Sequence, residues 1–131
     1  MKKILFIFFI TIIACTACQK EDSNGDLGAY WKIMSIEEHT SGATHNLVNE
    51  SNFWGIQLDL LEIRKTTDSR YYFRFQHIGD SLFVQGINTK NAELKLWGIY
   101  DNTNERYSVQ HLDDKSMILN SKNAKITFRS F

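Results

Sequence analysis

From Tyr30 to the end of the chain, apolar and polar positions alternate with a period of two, and no stretch sustains the spacing of an amphipathic helix. Successive side chains of a strand point to opposite faces, so this alternation predicts an all-β chain of short strands. "AYWKIMSIEEH" gathers its aromatic and aliphatic residues between positions 30 and 36 before charges take over. "WGIQLDLLEI" reads as one strand with Trp54, Ile56, Leu58 and Leu60 on one face, then a change of phase at Leu60–Leu61 that predicts a bulge or bend. "RYYFRFQHI" sets Tyr71, Phe73 and Phe75 inward against Tyr72, Arg74 and Gln76, and "IGDS" follows as a turn.

Five further strands follow by the same reasoning. "SLFVQGI" places Leu82 and Val84 against Phe83 and Gln85, and "ELKLWGIY" places Leu94 and Leu96 against Lys95 and Trp97. "DNTNE" carries turn residues, and "RYSVQHL" then puts Tyr107, Val109 and His111 on one face. "SMIL" and "AKITFRSF" close the chain, the latter with Ile126 and Phe128 inward. About eight strands with short loops suit a closed antiparallel barrel or a sandwich, because closure removes edge strands that would pair between molecules. The absence of proline agrees with a sheet that uses its backbone donors throughout. Only Thr40 to Asn52, "TSGATHNLVNESN", is long enough to form a lid or a short helix.

The first residues follow a different pattern. Lys2 and Lys3 precede the apolar run "ILFIFFITII", Ile4 to Ile13, and small residues lead from there to a cysteine. This is the arrangement of a secretory signal, and the run is too short for a membrane-spanning helix of ~20 residues. The expected organisation is a signal peptide over 1–17, a modified cysteine and flexible tether over 18–27, and one domain over 28–131. Cleavage before Cys18 removes two of fifteen basic residues and none of the fifteen acids, leaving a net charge of −2. Such a balance disfavours nucleic acid, which wants a basic face. Cleavage also removes Cys15, so no cysteine pair is left for an intrachain disulfide.

A cysteine directly after a small residue at the end of a short apolar segment resembles the lipobox of bacterial lipoproteins. Two registers fit, "IIAC" ending at Cys15 and "CTAC" ending at Cys18. "CQKED" resembles the acidic tether that Bacteroidetes lipoproteins use to reach the outside of the outer membrane, which favours Cys18 with Cys15 as the alternative. The resemblance implies a thioether diacylglycerol, whose two chains give stable anchoring where one gives only marginal binding. The bilayer is then the first expected partner, at the outer membrane and facing the cell exterior.

"LGAYWKI" and the ending "ERYSVQHLDDKSMILNSKNAKITFRSF" resemble the lipocalin-like domains of small Bacteroidetes lipoproteins. That resemblance covers about a hundred residues and implies an eight-stranded barrel. It also implies that an arginine late in the chain, Arg129 here, packs over the first-strand tryptophan, Trp31, a cation–π contact of ~0.5–2 kcal/mol and a structural role. In this chain Gly28 and Trp31 are separated by two residues, where lipocalins have one. "DSL" at Asp80 to Leu82 resembles the Bacteroidetes O-glycosylation motif.

The chain carries no Gly-x-Ser-x-Gly elbow, phosphate loop or dinucleotide fingerprint, and no cofactor or catalytic residue is expected. His39, His45, His77 and His111 are not spaced as local ligand pairs, so no metal site is expected. Glu37–Glu38 point to opposite faces of a strand, and Asp113–Asp114 read as a turn. An eight-stranded barrel is just wide enough to be filled by its own side chains or to hold one small ligand. The first expectation is a small apolar ligand lined by Trp54, Tyr71, Phe73, Phe75, Trp97 and Tyr107. The alternative is a filled barrel whose outer face, with Tyr72 and Phe83, or whose Thr40–Asn52 loop meets a protein or glycan of the envelope.

Overall fold

The computed structural model describes residues 25–131, so the expected signal segment, both cysteines and Gln19 to Asn24 of the expected tether lie outside the described residues. Nine strands follow one another: β1 (Tyr30–Glu38), β2 (Thr44–Asn46), β3 (Phe53–Gln57), β4 (Leu60–Arg64), β5 (Arg70–Ile78), β6 (Ser81–Ile87), β7 (Asn104–Leu112), β8 (Ser116–Asn120) and β9 (Ala124–Ser130). Each of β3 to β9 pairs antiparallel with its neighbour, β3 pairs with β1, and β9 returns to β1 to close an eight-stranded barrel. The ninth strand, β2, adds to the far end of β1 at Ser35–Glu37.

Closure follows from the alternation. Trp31, Ile33, Trp54, Ile56, Leu61, Ile63, Phe73, Leu82, Val84, Tyr107, Met117, Leu119, Ile126 and Phe128 all point inward and are buried. Burying side chains of this size contributes roughly 1.5–3 kcal/mol each, which is the main force holding the sheet closed. In β1 the register slips between Ile33 and Ser35. Met34 absorbs this bulge, and Ile36 returns to the interior although it lies an odd number of positions from Ile33.

The structure departs from the sequence expectations at four places. "WGIQLDLLEI" is two strands: Gln57 pairs with Leu60 across a two-residue turn, and Leu58 at its tip has φ +56° and is exposed. The change of phase is therefore the hairpin itself. "ELKLWGIY" is not a strand, since Lys95–Trp97 form a single 3₁₀ turn within the β6–β7 connection. Thr40–Asn52 is neither lid nor helix, because it holds β2 and is tied down where Leu47 N–H donates to Met34 O. His111 does not share the inward face of Tyr107, because a second bulge between Val109 and His111 turns it out.

Because all neighbours are antiparallel, the turns divide between two ends. The start of β1, the β3–β4, β5–β6 and β7–β8 turns and the end of β9 share the tether end. The 39–52, 65–69, 88–103 and 121–123 connections share the loop end.

Candidate functional site

Of the six residues expected to line a ligand cavity, four are core. Trp54 and Tyr107 are fully buried, Phe73 and Phe75 nearly so, and Tyr71 and Trp97 are half-buried. Trp54 lies edge-on to Tyr107 with ring centroids 5.6 Å apart and tilted against Phe128 at 4.9 Å, so the rings fill the space a guest would take.

The rest of that space at the loop end belongs to the β6–β7 connection. Leu94 and Ile99 are buried against the barrel core, and the carbonyls of three consecutive residues face the wall. Leu96 O accepts from Asn52 Nδ2, Trp97 O from Trp54 Nε1 and Gly98 O from Tyr107 Oη, each at 2.7 Å. The polar atoms that would orient a ligand are therefore spent on the chain's own backbone. Gly98, at φ +78°, fits because a Cβ there would stand 2.5 Å from Ile126 Cδ1. Gly86 has the same role at the start of the connection, where a Cβ would meet Thr89 Oγ1 at 1.9 Å and Asn102 O at 2.1 Å.

The far side of this plug is fixed by a buried carboxylate. Glu105 Oε2 accepts from Asp101 N at 2.6 Å and Tyr100 N at 3.0 Å, and Oε1 accepts from Asn123 Nδ2 at 3.0 Å. Tyr100 Oη donates to Glu38 Oε1 at 2.9 Å and so ties the plug to β1. Burial pushes the Tyr100 phenol well above its ordinary value, and its bond to Glu38 adds to that shift. Burial does the same to Tyr107, with the nearby Glu105 charge as the next cause. A raised folded pKa contributes stability that is present below the ordinary tyrosine value of ~10 and is lost as pH rises above it. We expect these two of the five tyrosines to release their protons only as the barrel opens. An alkaline ultraviolet titration should show their phenolate signal coincident with loss of near-ultraviolet dichroism, and ionisation in an intact barrel would contradict this placement.

Arg129 does not cover Trp31. Trp31 is fully buried and donates from Nε1 to Leu27 O at 3.0 Å, whereas Arg129 is exposed, one residue past inward-facing Phe128 and paired with Lys32 on the outer face. Alternation along β9 forces that orientation. The histidines lie apart. His39 Nε2 is 2.8 Å from Asn120 Oδ1, His45 Nε2 is 3.5 Å from Glu38, and His111 Nε2 is 2.9 Å from Asp113. Among the described residues no group of three or more His, Cys, Asp or Glu could hold a metal ion. Asp113 shapes the β7–β8 turn. The backbone N–H groups of Lys115 and Ser116 hold its carboxyl down at about 2.

Outside the barrel, a groove of about 470 Å³ runs over β1, β3 and β4. Tyr30, Phe53 and Phe131 wall it, with Phe53 and Phe131 edge-on at 5.1 Å, and Gly55 leaves its floor open under the Tyr30 ring. Glu62 and Arg64, 3.7 Å apart, are its two charged residues and balance each other. Tyr72 stands beside Glu62 in the cross-strand register. Phe83, however, lies under the Arg106 guanidinium at 5.5 Å, so it does not extend the aromatic surface. Sequence reading singled out Tyr72 and Phe83 but missed Phe53 and Phe131. Alternation alone places Phe53 outward, but only register brings it beside Tyr30.

A family model described as a lipocalin-like domain matches residues 12–131. Two crystal structures share the architecture. A lipocalin-like protein from Bacteroides uniformis superposes with a TM-score of 0.68 at 17% identity, covering 82% of this chain and all of its own. An uncharacterized protein from Bacteroides eggerthii gives 0.59 at 18% identity, with 79% of this chain and 98% of that one covered. No curated protein matches the sequence.

Proposed function

Since this chain belongs to the lipocalin-like domain family, we propose that it is a lipoprotein of the bacterial envelope that works by binding at its outer surface and not by catalysis. In this reading the Cys18 thiol receives a diacylglycerol and the chain is cut just before it, with Cys15 as the alternative, and the barrel stands on the outer membrane facing the cell exterior. The groove walled by Tyr30, Phe53 and Phe131 is the contact face for a partner protein or glycan of the envelope. The observation that carries the proposal is the filled interior, in which the carbonyls of residues 96–98 occupy Asn52, Trp54 and Tyr107.

The test is the mass of the protein extracted from its own membrane, under native and then denaturing conditions. Equal masses, both above that of the cleaved chain by the diacylglyceryl lipid, are expected. An additional small molecule in the native mass alone would return the function to the interior. In Cys18→Ala the lipid mass should vanish and the protein should leave the membrane fraction, while unchanged lipidation would move the anchor to Cys15.

A further inference from the structure

The exposed apolar side chains are not spread evenly over the barrel. Among the described residues, the large hydrophobic side chains more than half exposed are Phe131 at 84%, Leu58 at 72%, Ile78 at 62% and Tyr30 at 60%, and the next is Val48 at 44%. All four stand at the tether end. Tyr30 opens β1 and receives the Phe131 N–H on its carbonyl, Leu58 is the tip of the β3–β4 turn, and Ile78 leads into the β5–β6 turn. They form an arc over one half of the rim, while the β7–β8 turn opposite carries Asp113, Asp114 and Lys115.

Turn tips are ordinarily polar, and the left-handed backbone of Leu58, φ +56°, is one that glycine or asparagine fills with less strain. An exposed leucine held in that conformation sits there against its local preference. The chain also enters from this end, because Gly25–Leu27 lead directly into β1. Six residues separate Cys18 from Gly25, and the seven steps between them reach about 25 Å at most, so a lipid on Cys18 keeps this end close to the bilayer.

We infer that the barrel lies on the membrane with its tether end down, and that the turn residues Leu58 and Ile78 enter the headgroup region of a zwitterionic bilayer, while Tyr30 and Phe131 remain with the outer groove that meets the partner. The inference rests on the proposed anchor and adds an orientation to it. Aliphatic side chains such as these enter the boundary between headgroups and acyl chains. The acids of the same rim set the lipid class. Asp59 is engaged by Arg74 and Asp113 by His111, each at 2.9 Å, but Asp80 and Asp114 would be repelled by an anionic surface. The plugged loop end then faces away from the membrane.

The experiment uses the full lipidated chain in phosphatidylcholine vesicles containing nitroxide-labelled lipid, with a fluorophore at Ile78→Cys or, at the opposite end, at Leu96→Cys. Vesicle flotation reports the anchor independently. The expected result is that both proteins float, and that the label at 78 is quenched at least about threefold more than the label at 96, as its immersion depth requires. In a second variant, Leu58→Asp with Ile78→Asp, flotation should persist while hydrogen-exchange protection of the turn tips by vesicles disappears. Flotation with equal quenching at both ends would overturn the inference and leave the anchor standing. A chain that does not float would overturn both. Stronger quenching when phosphatidylglycerol replaces phosphatidylcholine would overturn the assignment of a zwitterionic surface.

Discussion

Trp54→Ala should lower the stability of the barrel by about 3–5 kcal/mol, the range for removing a fully buried large aromatic side chain. Two losses add at this site. The indole packs against Phe128 and Tyr107, and neither neighbour closes the gap easily because each is held by its own strand. The indole N–H also satisfies Trp97 O, and a buried carbonyl left without its donor costs about 1–3 kcal/mol. Trp54→Phe separates the two, since it keeps most of the packing and removes only the donor. Urea unfolding at constant m-value measures both variants against a total stability of about 5–15 kcal/mol. A loss below about 1 kcal/mol for the alanine variant, within the range of an ordinary surface change, would show that the interior is not packed around this ring.

Glu105→Ala should cost about 3 kcal/mol, concentrated in one segment. The side chain is 4% exposed and accepts from two consecutive backbone N–H groups and from the Asn123 amide, so its removal strands three donors beside the core. Tyr100 and Asp101 end the plug, which is then held mainly by the three wall bonds at residues 96–98. Hydrogen exchange should accelerate across 88–103 while the β8–β9 ladder keeps its protection. Glu105→Gln, which retains one acceptor oxygen, should recover part of the loss. Uniform acceleration through the whole barrel would mean that plug and wall open as one unit.

The barrel was legible because inward positions recur with a period of two along every long strand, and period is a local property. The expected number of wall strands agrees with the structure only because two departures cancel. The β3–β4 hairpin carries Leu58–Asp59 in place of the Asn-Gly or Asp-Gly that marks such turns, so two strands read as one. Leu94, Leu96 and Trp97 have a spacing that a short strand and a 3₁₀ turn share, so the plug reads as a strand. Both bulges shift the phase of alternation by one residue, which is why His111 was assigned to the wrong face. Arg129 is a different case. Alternation from Ile126 and Phe128 already places it outward, and only the family resemblance placed it over Trp31. The filled interior was beyond reach for another reason: its decisive partners are main-chain carbonyls, and a sequence pattern carries no sign of where a carbonyl points. The outer groove joins residues from β1, β3, β4 and the end of the chain, so nothing in any single segment announces it.

The pairing of β1 has a mechanical consequence. This strand is the first of the barrel, and its ladder to β9 runs from Trp31 to Glu38, while β3 grips Tyr30 to Lys32 and β2 grips Ser35 to Glu37 on the other side. A pull delivered through the N-terminus while the loop end is held runs along β1, so its hydrogen bonds on both sides bear the load together and do not unzip one at a time. A load applied between the N-terminus and the loop end would be carried as shear through the barrel seam, and the domain would be expected to resist tension in that direction far better than a peel applied from the end of β9.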